Sequence, residues 1–215
     1  GFNNETANNQ YKKDKEANPV IKEVRNLLIE SGKLSTDETK GAVFVETAGK
    51  TSSIVDYINK GPNNEVYLKP NQSVVFNIRS TEKPTSVQIG AKAPNGSSSI
   101  TVGSGIDDKQ ISLTSATDMY YNVSSAINWS NDDNSSYATV VITNNGTSDT
   151  IASITNLKLT YDNSDGDYYT YVNQSMANEA SKIATKRMSV LLDNTDNSTN
   201  STEKDTNSNE QDKDS

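Results

Sequence analysis

The stretch "EVYLKPNQSVVFNI" (Glu65–Ile78) decides the fold class. It reads as a short apolar strand, a turn at Pro70-Asn71, and a second strand. In the second strand Val74, Phe76 and Ile78 point one way, while Asn77 and Arg79 point the other. Such a period of two marks a strand with one face toward a core.

The same pattern recurs on both sides. "GAVFVET" (Gly41–Thr47) is short, apolar and β-branched, and "TSVQIGAKAPNGSSSITV" (Thr85–Val102) alternates, turns at Pro94-Asn95-Gly96, and alternates again. "KQISLTSATDMYYNV" (Lys109–Val123) supplies two more strands, and "SYATVVITNNGTSD" and "IASITNLKLTYD" supply the last. About eight short strands with turn residues between them predict a mainly β protein, an antiparallel sandwich with jelly-roll-like connections. Alternation also assigns faces. Val87, Ile89 and Ala91 oppose Gln88, Gly90 and Lys92; Met119, Tyr121 and Val123 oppose Tyr120 and Asn122; Leu157, Leu159 and Tyr161 oppose Asn156, Lys158 and Thr160.

Two helices are expected to flank the sandwich. Asn18-Pro19 is a start signal, Val20, Val24, Leu27 and Leu28 recur at helical spacing, and Ser31-Gly32 is a stop, so a helix is predicted over 19–31. Met176, Ala180, Ile183, Ala184, Met188 and Leu191 share a stripe, which predicts a second helix over 174–192. Residues 1–17 and 193–215 are almost wholly polar and are expected to be disordered. The module is then 18–192, with its sandwich core at 41–162. The chain opens at Gly1, without an initiating Met, and is expected to be a piece of a longer polypeptide whose neighbouring modules it adjoins.

Composition narrows the function. The net charge is −8, which disfavours nucleic acid and anionic membrane surfaces as partners. The chain has no Cys and no His, which removes thiolate and Ser-His-Asp catalysis and the commonest zinc ligand. No run of about 18 apolar residues is present to span a membrane. A cysteine-free chain rich in Asn, Ser, Thr and Asp fits a secreted or cell-surface protein of a Gram-positive bacterium. The paired carboxylates of a glycosidase are not evident, because the candidate acids fall in turns and loops.

The only tryptophan, Trp129, lies in "AINWSNDD" (Ala126–Asp133). A sugar ring presents C–H groups on one face and hydroxyls at its rim, so its site needs a flat aromatic plane beside planar polar groups. Trp129 with Asn128 and Asp132 meets that need, and Tyr120 and Tyr137 can extend the platform. The alternative is that Trp129 folds over the end of the core as a lid. A second candidate surface is the polar sheet face, Asn77, Arg79, Gln88, Lys92, Tyr120, Asn122 and Lys158. Asp107-Asp108, Asp132-Asp133 and Asp162-x-x-Asp165-x-Asp167 offer oxygen ligands for Ca²⁺, although the last lacks the spacing and the closing Glu of an EF-hand loop. No other cofactor is expected. Tyr168, Tyr169 and Tyr171 are read as a staple for the second helix.

Four phrases carry a family resemblance: Asn64–Gln72, Val87–Gly96, Thr117–Tyr121 and Ser153–Thr160. In this order they resemble β-sandwich modules of large secreted surface proteins of gut Clostridia, with the second phrase expected to form a central hairpin. The chain is similar in style to the non-catalytic starch-adherence proteins of Ruminococcus amylosomes. The resemblance implies a polysaccharide partner, with starch or another α-glucan as the best specific choice. The expected function is a non-catalytic carbohydrate-binding module that uses Trp129, Tyr120, Tyr137, Asn128, Asp132, Gln88 and Lys92. The alternative is a structural or protein-adhesion module.

Overall fold

The two strands of Glu65–Ile78 form as read, but in different sheets. The computed structural model of the chain describes residues 19–25, 42–59, 64–170 and 173–188. The tails expected to be disordered lie outside these residues. The described strands are β1 (Val20–Glu23), β2 (Val43–Thr47), β3 (Lys50–Ser53), β4 (Ile58–Asn59), β5 (Glu65–Leu68), β6 (Gln72–Ser80) and β7 (Ser86–Lys92). They continue as β8 (Ser98–Gly103), β9 (Lys109–Leu113), β10 (Met119–Asn122), β11 (Ser130–Asn131), β12 (Ser136–Asn144), β13 (Ala152–Tyr161) and β14 (Tyr168–Thr170). A helix, α1, spans 174–188.

The first sheet has the order β10-β7-β13-β5-β4, with β1 also on β13. The second runs β3-β2-β6-β12-β8-β9, with β11 on β12 and β14 on β6. Every pairing described is antiparallel. The steps from β5 to β6, β6 to β7, β7 to β8 and β12 to β13 all cross from one sheet to the other, which is jelly-roll connectivity. The Pro70-Asn71 turn is therefore an arch. Gln72 N donates to Lys69 O at 3.1 Å, and Asn71 takes φ 69°, a left-handed position that Asn tolerates. The central hairpin expected for Val87–Gly96 is likewise corrected: β7 and β8 lie in opposite sheets. Alternation shows that two runs share a core, but not whether they meet edge to edge or face to face.

The inner faces supply one core. Val66, Leu68, Val87, Ile89, Ile154, Leu157 and Leu159 of the first sheet meet Val74, Phe76, Ile78, Ile100, Val102, Val140 and Ile142 of the second. Burial of each such side chain stabilises by about 1.5–3 kcal/mol. Asn144 ties the sheets polar to polar. Its Nδ2 donates to Leu68 O at 2.8 Å, and its Oδ1 accepts from Gly146 N at 2.8 Å.

The first expected helix is corrected. Val20–Glu23 is a strand whose residues pair with Tyr161–Lys158 of β13. β5 uses β13 only as far as Ile154, so the far end of that edge has backbone groups to satisfy. The segment "VIKEV" also alternates: Ile21 and Glu23 are exposed, while Val24 is buried. Edge pairing outweighs helical spacing here. Residues 26–31 lie outside the described ones.

The second helix forms as expected as far as 188; residues 189–192, with Leu191, are outside the described ones. Asn173 caps its start, with its Oδ1 accepting from Met176 N at 3.0 Å. Ala177, Ala180, Ile183 and Ala184 pack on Phe44, Val75 and Val141, which point outward from the second sheet. Arg187 fastens the helix. Its guanidinium donates to the backbone oxygens of Thr101 (3.2 Å), Gly103 (3.2 Å) and Val141 (2.7 Å), and to Thr143 Oγ1 (3.0 Å). It also pairs with Asp108 at 3.0 Å, with its side chain only 9% exposed. Burial pulls the Arg187 pKa below its ordinary value, against the opposing charge of Asp108. The tyrosine staple is not seen. Tyr168 and Tyr169 belong to β14, Tyr168 packs on the inner core, Tyr169 is exposed, and Tyr171 lies outside the described residues.

Removing one partner of a buried ion pair costs about 3–5 kcal/mol. Arg187→Ala is expected to lower unfolding stability by about that amount, measured by urea denaturation. A loss under about 1 kcal/mol would show that the guanidinium does not hold the helix.

Candidate functional site

The outward side chains of the first sheet stand in rows fixed by its register. Asn122, Gln88, Lys158 and Glu23 share one row across β10, β7, β13 and β1. Tyr120, Gly90 and Asn156 share the next. Lys92, Ser153 and Tyr67 form a third across β7, β13 and β5. Between the second and third rows β13 carries a bulge between Ile154 and Asn156.

Gly90 is what lets Tyr120 lie across β7. A Cβ at Gly90 would stand 2.7 Å from Thr155 Oγ1 and 3.0 Å from the Tyr120 ring. The Tyr120 oxygen accepts from Asn156 Nδ2 at 3.2 Å and from Arg25 at 3.3 Å. Lys158 Nζ sits 3.8 Å from the ring centroid, so one face of the ring already holds a cation. Burial raises the phenol's pKa, but hydrogen bonds from Asn156 and Arg25 and the charges of Lys158 and Arg25 outweigh it and hold it below the ordinary value.

Around Tyr120 runs a network of charges. Lys92 Nζ donates to Glu65 Oε2 at 2.9 Å, and Ser153 Oγ donates to Glu65 Oε1 at 2.7 Å. The hydrogen bond to Glu65 lifts Lys92 above the ordinary lysine value, against the opposing effect of burial. Asp118 lies 3.6 Å from Arg25 and 4.0 Å from Lys92. Its Oδ1 is buried and has no hydrogen-bond partner among the described residues. Asn156 completes the network, donating to Glu23 Oε1 at 2.6 Å while its Oδ1 accepts from Arg25 N at 2.8 Å.

The seven expected ligand-binding residues do not form one site. Gln88, Lys92 and Tyr120 share this outer face. Trp129 and Asn128 lie in the segment that leaves β10 for the second sheet. Trp129 is half-buried and packs against the inner core, whereas Asn128 is exposed and anchored through its backbone N to Ser104 Oγ at 3.0 Å. The choice left open for Trp129 therefore falls toward the lid. Ile127 is buried, Asn128 exposed, Trp129 half-buried and Ser130 exposed, so the loop itself alternates.

Tyr137 and Asp132 belong to the second sheet's side. Tyr137 stands opposite Arg79 on β12 and β6, pointing outward beside core-facing Ala138 and Ile78. Asp132 pairs with Arg79 and organises its own loop. Its Oδ1 accepts from Asn134 N, Ser135 N and Ser135 Oγ. The hydrogen bond from Asn134 N, those from Ser135 and the Arg79 charge hold its carboxyl below the ordinary value. The polar face expected from alternation is corrected in the same way. Asn77 and Arg79 lie on β6 of the other sheet, and Asn77 is fully buried, accepting from Thr139 Oγ1 at 2.7 Å. Sequence alternation missed Arg25, Glu65 and Asp118, whose places depend on pairings between distant segments.

Two of the acidic clusters each give one carboxylate to the fold, Asp108 and Asp132. Asp108 holds Arg187 and Gly105 N, and Gly166 of the Asp162–Asp167 loop is seated against the buried ring of Tyr161. Among the described residues no three acidic side chains converge in a way that could hold a metal ion.

No family model matches this chain, and no curated protein matches it. Among solved structures it is similar to a family two carbohydrate esterase from Cellvibrio japonicus, at 12% identity and a TM-score of 0.41 over 67% of this chain. The chain spans 34% of that esterase's length. It is also similar to the xylan-binding module CBM15, at 14% identity and a TM-score of 0.37 over 67% of this chain and 97% of that one. The CBM36-1 domain of a multidomain xylanase from the hindgut metagenome of Trinervitermes trinervoides shares 12% identity, with a TM-score of 0.31 over 54% of this chain and 95% of that one. Likeness at these values carries no argument about function; the sandwich rests on its own strand pairing.

Trp129→Ala is expected to lower stability by about 2 kcal/mol, since a partly buried indole leaves the core. Emission of the wild-type protein should lie to the blue of free indole, with partial acrylamide quenching. Full quenching together with unchanged stability in the variant would place the ring outside the core.

Proposed function

We propose that the chain is a non-catalytic carbohydrate-binding module of a secreted or cell-surface protein, and that it binds a polysaccharide on the outer face of the first sheet. The observation that carries this reading is the polar face itself. Gln88, Asn122, Lys92 and Lys158 stand at fixed heights around a tyrosine ring, and α1 packs on the opposite sheet. Amides and ammonium groups at set spacings suit hydroxyl recognition. Stacking of a pyranose on Tyr120 requires Lys158 Nζ, 3.8 Å from the ring centroid, to give way. The carboxylates on this face, Glu65 and Asp118, lie beside Lys92 and Arg25, which suits gripping rather than acid–base work.

The four phrases of the family resemblance fall on β5, β7, β10 and β13, four adjacent strands of the first sheet. The resemblance therefore bears on the same face, and it supports α-glucan as the ligand of first choice. Affinity is weak for one module and rises when modules are linked. A second reading, a spacer or protein-adhesion module, is favoured by the place of Trp129 against the core.

The test is retention of the full chain on insoluble starch, xylan, galactan and cellulose. Starch is expected to retain it. The double variant Gln88→Ala/Asn122→Ala is expected to weaken retention about tenfold. Asn122 Oδ1 accepts from Ser124 N, so urea denaturation checks that the variant still folds. Retention on xylan or galactan in place of starch would keep the module and change its ligand. No retention on any of the four would favour the second reading.

A further inference from the structure

A cleft of about 410 Å³ opens at the free edge of the first sheet, lined by Asp56, Tyr57, Ile58, Tyr67, Lys69, Gln72 and Ile151. Pockets of roughly 300–1,000 Å³ are the usual size for small ligands. The sequence assigned none of these residues to a site, because their meeting is a matter of register. Ser53 caps the turn Ile54–Tyr57, its Oγ accepting from Val55 N at 3.3 Å. β4 then pairs with β5 as Ile58↔Val66 and Asn59↔Glu65. Tyr57 ends the turn that precedes β4, and with Tyr67 of β5 it lines the cleft. The Lys69–Gln72 turn holds the other wall, with Lys69 N donating to Gln72 Oε1 at 3.0 Å.

The polar groups of the cleft are largely uncommitted. The Asp56 carboxylate, the Tyr57 and Tyr67 hydroxyls and the Lys69 ammonium make no hydrogen bond or ion pair among the described residues. This sets the cleft apart from Glu65, Lys92, Tyr120 and Asn156 on the polar face, which are paired with one another or with their neighbours. Tyr57 is half-buried and rests on the inner core, so one of the two rings is held rigidly. Tyr67 stands in the row with Ser153 and Lys92, which joins the cleft to the polar face.

We infer that this cleft is a second glycan site, taking the end of a chain or a short oligosaccharide between Tyr57 and Tyr67. Ring C–H groups meet the two phenol rings and Ile151, and hydroxyls meet the Asp56 carboxylate, the Lys69 ammonium and the Gln72 amide. The inference rests on the reading of the chain as a glycan binder, and it assigns the two places different forms of ligand. The sheet face takes the length of a polymer, and the cleft takes a short segment.

Calorimetric titration of the full chain with maltotriose, xylotriose and cellotriose tests it. Binding of at least one trisaccharide is expected. Tyr67→Ala should weaken it about tenfold or more, and Asp56→Ala or Lys69→Ala, both exposed positions, should also weaken it. Gln88→Ala, on the polar face, should leave it unchanged. Trisaccharide affinity that is insensitive to Tyr67→Ala and Asp56→Ala, or lost with Gln88→Ala, would overturn the cleft. Retention on insoluble polysaccharide without binding of any trisaccharide would also overturn it, while leaving the sheet face standing. Binding of neither trisaccharide nor polysaccharide would remove both.

Discussion

A sandwich of two sheets has two outer faces, and in this protein they are unequal. The second sheet turns Phe44, Val75 and Val141 outward, an apolar strip that water would penalise. α1 covers it with alanines small enough for close approach, and Arg187 locks the helix to carbonyls of β8 and β12. Much of the molecule's organisation follows from that cover. Among the described residues α1 leaves the first sheet's outer face to its own polar side chains, and the assignment of function depends on this asymmetry.

The first sheet's face is built for position rather than reactivity. Glu65 is nearly buried and is held by Lys92 and Ser153, Asn156 joins Glu23 to Tyr120, and Gly90 makes room for the phenol ring. Such prior ordering reduces the entropy lost when a ligand binds. It also makes Tyr120 a less open platform than its place on an exposed strand face suggests, because Lys158 already lies over the ring. The edge cleft is the complement of this surface, with less internal pairing and more room.

Period-two alternation made the long strands legible, and the inner core assigned from Val74, Phe76, Ile78, Val87, Ile89, Leu157 and Leu159 stands as read. The strands β1, β3, β4, β11 and β14 were not legible. They are two to four residues long and exist because a longer strand offers them an edge. β1 shows the conflict most clearly, since Val20 and Val24 fit helical spacing while the open end of β13 recruits Val20–Glu23 as a strand. For the site, alternation placed Gln88, Lys92 and Tyr120 correctly on an outer face. It could not tell that Asn77 and Arg79, patterned alike, belong to the other sheet. Arg25, Asp118, Tyr57 and Tyr67 depend on register between distant segments, and no local pattern encodes that.

The central claim is that ligand meets the first sheet and not the second. Amide chemical-shift mapping of the full chain with maltoheptaose, and in parallel with xylohexaose, tests it most directly. The account predicts that the perturbed signals cluster on β5, β7, β10 and β13 and on the edge cleft with Gln72, while α1, β12 and the rest of β6 stay unmoved. Perturbations confined to α1 and the strands beneath it would contradict the account.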